Sequence, residues 1–187
     1  KIFNQEIRFK DNNGNDYPDW EEKTLGEVVV VKKGEQLNKE ILTKDSKYPV
    51  INGGITPSGY YNSYNVLAET ITISEGGNSC GFVNYMKTNF WAGGHCYYLS
   101  EYSVDKNYIF QYLKFKENNL MELRVGSGLP NIQKNSLVQF NVVIPILFEQ
   151  QKIADFLSLI DTKIEDINRT IEKTKEWKNG LLQQMLV

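Results

Sequence analysis

Histidine and cysteine are scarce in this sequence, which has one histidine and two cysteines among 187 residues. His95, Cys80 and Cys96 cannot complete a structural zinc site without carboxylate help, because such sites take four ligands. A Cys–His nucleophile pair is also disfavoured, since His95 and Cys96 are adjacent and neighbours on a strand point to opposite faces. We therefore expect no metal site and two free thiols, as in a reducing cytosol.

Other signatures of catalysis and of membrane insertion are missing too. No apolar run has membrane-spanning length, and Lys1–Glu6 does not resemble a signal peptide. There is no Walker-type Gly-Lys-Ser/Thr loop, and Gly126–Gly128 lacks the third glycine of a dinucleotide-binding loop. These absences favour a cytoplasmic protein with no catalytic residues, no cofactor of its own and no membrane contact.

The composition nevertheless supports a packed core, with 41% hydrophobic and 12% aromatic residues. Between residues 19 and 148 the chain alternates short apolar runs with glycine-bearing turns, a pattern typical of strands. The predicted strands are Thr24–Val31, Tyr48–Ile51, Ile71–Ser74, Gly81–Tyr85, Cys96–Leu99 and Phe140–Pro145. One helix is predicted over Tyr108–Asn118, with Tyr108, Ile109, Tyr112 and Leu113 on one face. The fold class is therefore α+β, with a mixed, largely β domain.

The last 39 residues differ in kind and predict a single long helix. Glu149–Leu186 has no proline, and Gly180 is its only glycine. Its apolar residues recur in alternating steps of four and three, which is the heptad pattern of a coiled coil. The predicted seam is Ile153, Leu157, Ile160, Ile164, Ile167, Ile171, Leu181 and Met185, with a polar gap at Thr174 and Lys178 between Ile171 and Leu181. A helix of roughly 55 Å is too long for one small domain to cover, so we expect it to pair with another helix.

Four stretches resemble the type I restriction–modification specificity family. Asp19–Val28 is similar to the motif that opens a target-recognition domain, and Gly126–Ile132 to its late loop. Ile144–Leu157, with proline followed by Glu-Gln and Lys-Ile-Ala, is similar to the junction with the spacer helix. Lys178–Met185 resembles the end of such a helix. The resemblance covers nearly the whole chain.

This resemblance implies a domain organisation. Residues 1–18 would be an N-terminal segment, 19–148 the DNA-binding target-recognition domain, and 149–187 the spacer helix. Full-length members carry two such domains and two spacer helices, whereas this chain has one of each. Lys1–Phe9 resembles the tail of a preceding spacer helix, so we expect the C-terminal half of a larger subunit. A natural half-length subunit is the alternative.

The resemblance also implies a function. The domain would read one part of a split site in double-stranded DNA without catalysing any reaction. Its helix would pack against a second spacer helix, from the same subunit or from a homodimer mate. Methyltransferase subunits using S-adenosylmethionine, and restriction or motor subunits using ATP and Mg, would be the other partners.

Charge does not mark the DNA-binding surface, since the net charge is −2. Arg8, Arg124 and Arg169 are the only arginines, which shifts base readout toward amide, hydroxyl and lysine side chains. We expect contacts from two lysines after the valine run, three polar loops and the late loop. The candidates are Lys32, Lys33, Tyr60, Tyr61, Asn62, Ser63, Tyr64, Gly76, Gly77, Asn78, Ser79, Trp91, Gly93, Gly94, His95, Asn131, Gln133 and Lys134.

A binding module for another ligand is the alternative function. Exposed tyrosine and tryptophan would serve sugar stacking as well as DNA, so a carbohydrate-binding domain displayed on a coiled coil fits the same pattern. Salt dependence separates the two, because phosphate contacts release counterions and sugar stacking does not.

Overall fold

The chain forms a β-rich domain from which one long helix extends. The structure is a computed structural model and describes residues 1–126 and 128–185; Ser127, Leu186 and Val187, which belong to the predicted late loop and spacer helix, lie outside the described residues. The described strands are β1 (Glu21–Thr24), β2 (Val30–Lys33), β3 (Tyr48–Ile51), β4 (Gly59–Tyr61), β5 (Thr70–Ser74), β6 (Val83–Met86), β7 (Trp91–Ala92), β8 (Cys96–Ser100) and β9 (Asn141–Ile144). The described α-helices are α1 (Leu25–Val28), α2 (Lys106–Phe115), α3 (Glu117–Glu122), α4 (Lys134–Val138) and α5 (Leu147–Met185).

Three sheets organise the described part of the domain. The largest is an antiparallel sheet in the order β2-β8-β5-β6, and a second follows the order β4-β3-β7, with β3 and β7 parallel. A two-stranded antiparallel sheet joins β1 to β9, so the first and last strands of the domain lie together. The mixed α+β fold class is confirmed.

The main core lies between the four-stranded sheet and the helices. Tyr108, Ile109, Tyr112 and Leu113 are all buried, as the predicted helical face requires. The Asp105 side chain caps α2 by accepting a hydrogen bond from the Tyr108 N–H at 2.8 Å. The predicted single helix is divided in two, because α2 ends at Phe115 and α3 begins at Glu117.

The prediction of one strand over Thr24–Val31 is wrong for its first half. Leu25–Val28 form the short helix α1, and the strand β2 begins only at Val30. The reason is Glu27, whose carboxylate accepts hydrogen bonds from the Thr24 N–H at 2.6 Å and from the Thr24 hydroxyl at 2.8 Å. This local capping interaction favours a helical turn over the strand preference of valine.

The backbone hydrogen bonds of Lys1–Glu6 have the pattern found at the C-terminal end of an α-helix. The Glu6 N–H donates to the Lys1 carbonyl at 3.0 Å and the Gln5 N–H to the Ile2 carbonyl at 2.8 Å. Gln5 has a φ of 58°, the left-handed position of a Schellman motif. The assignment of Lys1–Phe9 to the tail of a spacer helix stays a prediction. Phe3 then packs against Tyr112 with ring centroids 5.5 Å apart, so the segment is joined to the core.

Helix α5 begins at Leu147, two residues before the predicted start. Its first turn is fixed by two buried polar residues. Glu149 is fully buried and accepts hydrogen bonds from Arg8 Nη2 at 2.7 Å and from Trp20 Nε1 at 3.0 Å. Gln150 donates to the Pro145 carbonyl and accepts from the Asp105 N–H, both at 2.7 Å. The Glu-Gln pair of the junction motif therefore holds the helix to the domain.

The predicted seam of α5 divides into two parts. Ile153 is buried in the domain core and Leu157 packs against that core, so these two positions are covered by the chain itself. From Ile160 onward the seam is exposed, with 51% of Ile164 and 60% of Ile167 accessible. Pairing with another helix is therefore available to the second part of the seam only.

Candidate nucleic-acid interface

Four loops that are distant in sequence meet at one end of the four-stranded sheet. They are residues 52–54, 75–79, 93–95 and 130–134, and together we call them the loop surface. Backbone hydrogen bonds join them: the Glu75 N–H donates to the His95 carbonyl at 3.0 Å, and the Ile132 N–H to the Glu75 carbonyl at 2.8 Å. The Gly77 N–H also donates to the Pro130 carbonyl at 3.0 Å. The candidate contact residues Gly76–Ser79, Gly93–His95, Asn131, Gln133 and Lys134 thus lie on one surface.

Glycine makes this close approach possible. A Cβ on Gly93 would lie 2.7 Å from Asn52 Oδ1, an atom that also accepts a hydrogen bond from the His95 N–H at 3.0 Å. Gly53 has a φ of +80°, a left-handed conformation in which side chains are strained. Its carbonyl accepts hydrogen bonds from the hydroxyls of Ser74 and Ser79. The absence of a side chain at Gly93, one of the candidate contact residues, therefore serves the packing of the loops, whereas a Cβ on Gly77 would meet nothing within 4 Å.

Glu75 lies at the centre of the loop surface, directly after β5. One oxygen of its carboxylate, Oε1, is 2.6 Å from Lys33 Nζ and accepts a hydrogen bond from the Tyr97 hydroxyl at 3.0 Å. The other, Oε2, is 3.1 Å from His95 Nδ1. The Tyr97 hydroxyl is also 3.0 Å from the Ile132 carbonyl, which ties the cluster to the late loop.

The surroundings of Glu75 keep it ionised. Burial alone would raise its pKa, but the hydrogen bonds from Lys33, Tyr97 and His95 outweigh burial and hold the pKa below its usual value. Burial and the Glu75 carboxylate both raise the pKa of Tyr97, which therefore remains a neutral donor. The cluster thus contains a carboxylate and an ammonium whose charges compensate each other.

The two candidate lysines on β2 point to opposite faces of the sheet, as neighbours on a strand must. Lys33 faces the loop surface and Glu75. Lys32 instead pairs with Glu101, with Nζ 3.0 Å from Oε1, and both of these side chains are well exposed. Only one of the two predicted phosphate contacts therefore lies at the loop surface.

The predicted contact residues Tyr60–Tyr64 lie on or directly after β4 of the second sheet, outside the loop surface. Tyr61 packs edge-on against Trp91 with ring centroids 5.5 Å apart, and Trp91 Nε1 donates to the Glu35 carbonyl at 2.8 Å. Tyr64 packs against Tyr48 in the same manner at 4.9 Å. Tyr60, Asn62 and Ser63 are exposed and remain free to contact a ligand.

Exposed polar groups suited to base readout remain on the loop surface. Asn78, His95, Asn131, Gln133 and Lys134 are all exposed, whereas Gly93 is buried. Amide side chains of this kind pair with adenine edges, and lysine pairs with guanine or phosphate. The residue that sequence reasoning missed is Glu75. An ionisable residue that directly follows a strand buried along its length was the available signal, because such a charge needs a partner.

Two classes of site are not found in the part of the chain that the structure describes. Residues 1–126 and 128–185 contain no cluster of three or more His, Cys, Asp or Glu side chains placed to hold a metal ion. No helix within these ranges combines the length and apolar character needed to cross a bilayer. Cys80 and Cys96 are both free and buried, and burial raises the pKa of Cys96 to about 12.

Known proteins are similar to this chain in sequence and in fold. The family model "Type I restriction modification DNA specificity domain" matches residues 17–176. A Mycoplasma pneumoniae protein named "Putative type I specificity subunit S.MpnORF638P" is 34% identical over 164 residues, which are 86% of this chain and 44% of that protein. A Mycoplasma genitalium protein named "Putative type I specificity subunit S.MgeORF438P" is 31% identical, over 86% of this chain and 43% of its own length.

A solved structure agrees with the sequence relatives. The crystal structure of the type I restriction–modification system S subunit from M. genitalium superposes with a TM-score of 0.80 at 28% identity. The superposition covers 91% of this chain and 45% of that subunit. The chain therefore spans less than half the length of the relatives it matches. With a family model that matches most of its length, this chain belongs to the type I restriction–modification DNA specificity family.

Proposed function

We propose that this chain reads one part of a split sequence in double-stranded DNA, as a non-catalytic module of a type I restriction–modification complex. Family membership carries the proposal, and the matched family and both relatives favour DNA over the carbohydrate alternative. The loop surface supports it physically, because it presents amide, imidazole and lysine side chains on a rigid, glycine-rich framework. Methyltransferase and restriction subunits would supply S-adenosylmethionine, ATP and Mg chemistry.

The long helix α5 fits the assembly of such a complex. In the proposed complex, α5 packs against another spacer helix through Ile160, Ile164, Ile167 and Ile171, all of which are exposed in this chain. This other helix comes from the same full-length subunit or from a second copy of the chain. The distance between the two parts of the DNA site would then follow from the length of the helices.

The proposal is tested by changing the exposed amides of the loop surface. Asn78→Ala and Asn131→Ala should each relax base preference at one position of the methylated sequence, at a cost on the order of 1–3 kcal/mol. Asn118→Ala is the control, since Asn118 is an exposed amide on α3 outside the loop surface. Sequencing of methylated sites in cells that carry the complete system measures the outcome. An unchanged target at full efficiency in both loop variants would exclude the loop surface as the reading surface.

A further inference from the structure

The ion pair between Lys33 and Glu75 is more enclosed than the other cation–carboxylate pair on the same strand. The side chain of Glu75 is 12% exposed and that of Lys33 48%, with Nζ 2.6 Å from the carboxylate. The Lys33 ammonium also lies 5.9 Å from the centroid of the Tyr97 ring. In the neighbouring pair, Glu101 is 66% exposed and Lys32 43%. Water screens the second pair far more than the first.

The environment of Glu75 makes its hold on Lys33 strong. Its Oε1 also accepts a hydrogen bond from Tyr97 and its Oε2 faces His95, so two further contacts hold the carboxylate in place. Removing Lys33 from it would leave a largely buried charge with fewer partners, which is unfavourable. A DNA phosphate must therefore compete with Glu75 for the one lysine of β2 that faces the loop surface.

We propose that Glu75 is a specificity-determining residue that acts through Lys33, by withholding the Lys33 ammonium from indiscriminate contact with the DNA backbone. The inference rests on the proposed function. Non-specific affinity arises from lysine and arginine contacts to phosphate, irrespective of sequence. A lysine that is already neutralised at the reading surface adds little to that affinity. Base contacts by the neighbouring amides then account for a larger share of the total binding energy.

A purely structural role for Glu75 makes a different prediction. The loops are joined to residue 75 through its backbone N–H and carbonyl, and these bonds survive a change of side chain. Glu75→Gln keeps the shape of the side chain and can still accept a hydrogen bond from Tyr97. If Glu75 only supports the loops, this variant lowers stability without strengthening the attraction to DNA. If Glu75 withholds Lys33, the Glu75→Gln variant frees the Lys33 ammonium to contact DNA phosphate.

The test measures binding of the 187-residue chain to a random-sequence DNA duplex at several salt concentrations. Each phosphate contact steepens the slope of log K against log salt by about 0.9. Glu75→Gln should therefore bind more tightly than wild type at low salt. Between about 50 and 200 mM salt it should lose roughly 3.5-fold more affinity than wild type loses. The double variant Lys33→Gln/Glu75→Gln should return to the wild-type slope.

Glu101→Gln is the matched control, because it removes one carboxylate from a lysine of the same strand and changes the net charge equally. Its slope should change less, since Glu101 is 66% exposed and water already screens its pairing with Lys32. Lys33→Gln alone tests the inference even if Glu75→Gln fails to fold. We expect its slope of log K against log salt to differ little from that of wild type. A loss of about one contact's slope in Lys33→Gln would show that Lys33 already binds phosphate, and would overturn the inference.

The outcomes also separate this inference from the function on which it rests. If wild type shows no salt-dependent binding to duplex DNA, the proposed function fails. If wild type binds but Glu75→Gln has the same slope as Glu101→Gln, only the inference about Glu75 is overturned. Thermal unfolding of each variant, followed by circular dichroism, identifies a change in affinity that comes from unfolding.

Discussion

At the scale of single residues, the ionised groups of this protein have two distinct tasks. Glu75 and Lys33 compensate each other at the loop surface, where charge affects what the domain attracts. Arg8 and Glu149 compensate each other at the base of α5, where Glu149 is fully buried. In both places one carboxylate accepts hydrogen bonds from several donors, so the loss of its cationic donor leaves the negative charge without a compensating positive charge.

Arg8 should be essential for the stability of the domain. Arg8→Ala leaves the buried Glu149 carboxylate with Trp20 as a remaining donor, and breaking a buried pair costs about 3–5 kcal/mol. Asp19→Ala is the control, because Asp19 is a fully exposed partner of the same arginine, 3.9 Å away. Urea unfolding should show a large loss of free energy of unfolding for the first variant and almost none for the second. Equal losses would mean that the buried Arg8–Glu149 pair contributes no more to stability than the exposed Arg8–Asp19 pair.

The Glu75 carboxylate also predicts an effect of pH on stability. Its pKa is lower in the folded chain than in the unfolded chain, so the stability it contributes is present at neutral pH. That contribution falls as the pH drops below the ordinary value of 4.5 toward the lowered folded pKa. Wild type should therefore lose its stability advantage over Glu75→Gln on acidification. A difference between the two that does not change between neutral and acidic pH would contradict this assignment.

At the scale of elements, α5 combines an anchored part and a pairing part. Ile153 and Ala154 belong to the domain core, whereas every described residue from Leu159 onward except Gly180 is exposed. In the proposed complex, a single helix would thus serve two interfaces in succession. The heptad steps are continuous from Ile153 to Ile171, across both parts, which is why the sequence alone predicted a single seam there.

A charge in the exposed part of the seam should prevent association without harming the domain. Ile167→Asp places a carboxylate where a partner helix would bury it, at a cost of several kcal/mol. Ile167 is 60% exposed in this chain, so the isolated fold should keep its stability. Gln183→Asp adds the same charge on the face of the helix opposite the seam. Sedimentation at high concentration should show self-association of wild type and Gln183→Asp, and a monomer for Ile167→Asp.

At the scale of the whole molecule, the chain should act only as part of a larger assembly. Purified alone, it should transfer no methyl group from S-adenosylmethionine to DNA and hydrolyse no ATP. Adding the cognate methyltransferase subunits to the complete specificity subunit should produce methylation. Methyl transfer by the chain by itself, measured with labelled S-adenosylmethionine, would contradict the proposed division of labour.

Local signals were sufficient to predict part of this architecture. Tyr48–Ile51 and Cys96–Leu99 are strands, and the long helix starts within two residues of its predicted position. The strand prediction for Leu25–Val28 was wrong because the capping interaction of Glu27 outweighed the strand preference of valine. The place of Glu75 after a buried strand indicated that it needs a partner, but its partners could not be predicted, since Lys33, Glu75 and His95 are brought together only by the order of strands in the sheet. No spacing in the sequence encodes that order.

The way α5 leaves the domain has a mechanical consequence. Among the described residues, the last hydrogen bond from the domain to the helix joins Lys87 to Glu165 at 2.7 Å. The 20 residues that follow form a lever arm of roughly 30 Å at about 1.5 Å per residue. A tilt of about 6–7° at its base would move its far end by roughly 3.4 Å, the rise of one base pair. In the proposed complex, the stiffness of the anchor between Glu149 and the Lys87–Glu165 contact would therefore set how finely the separation of two DNA half-sites is measured.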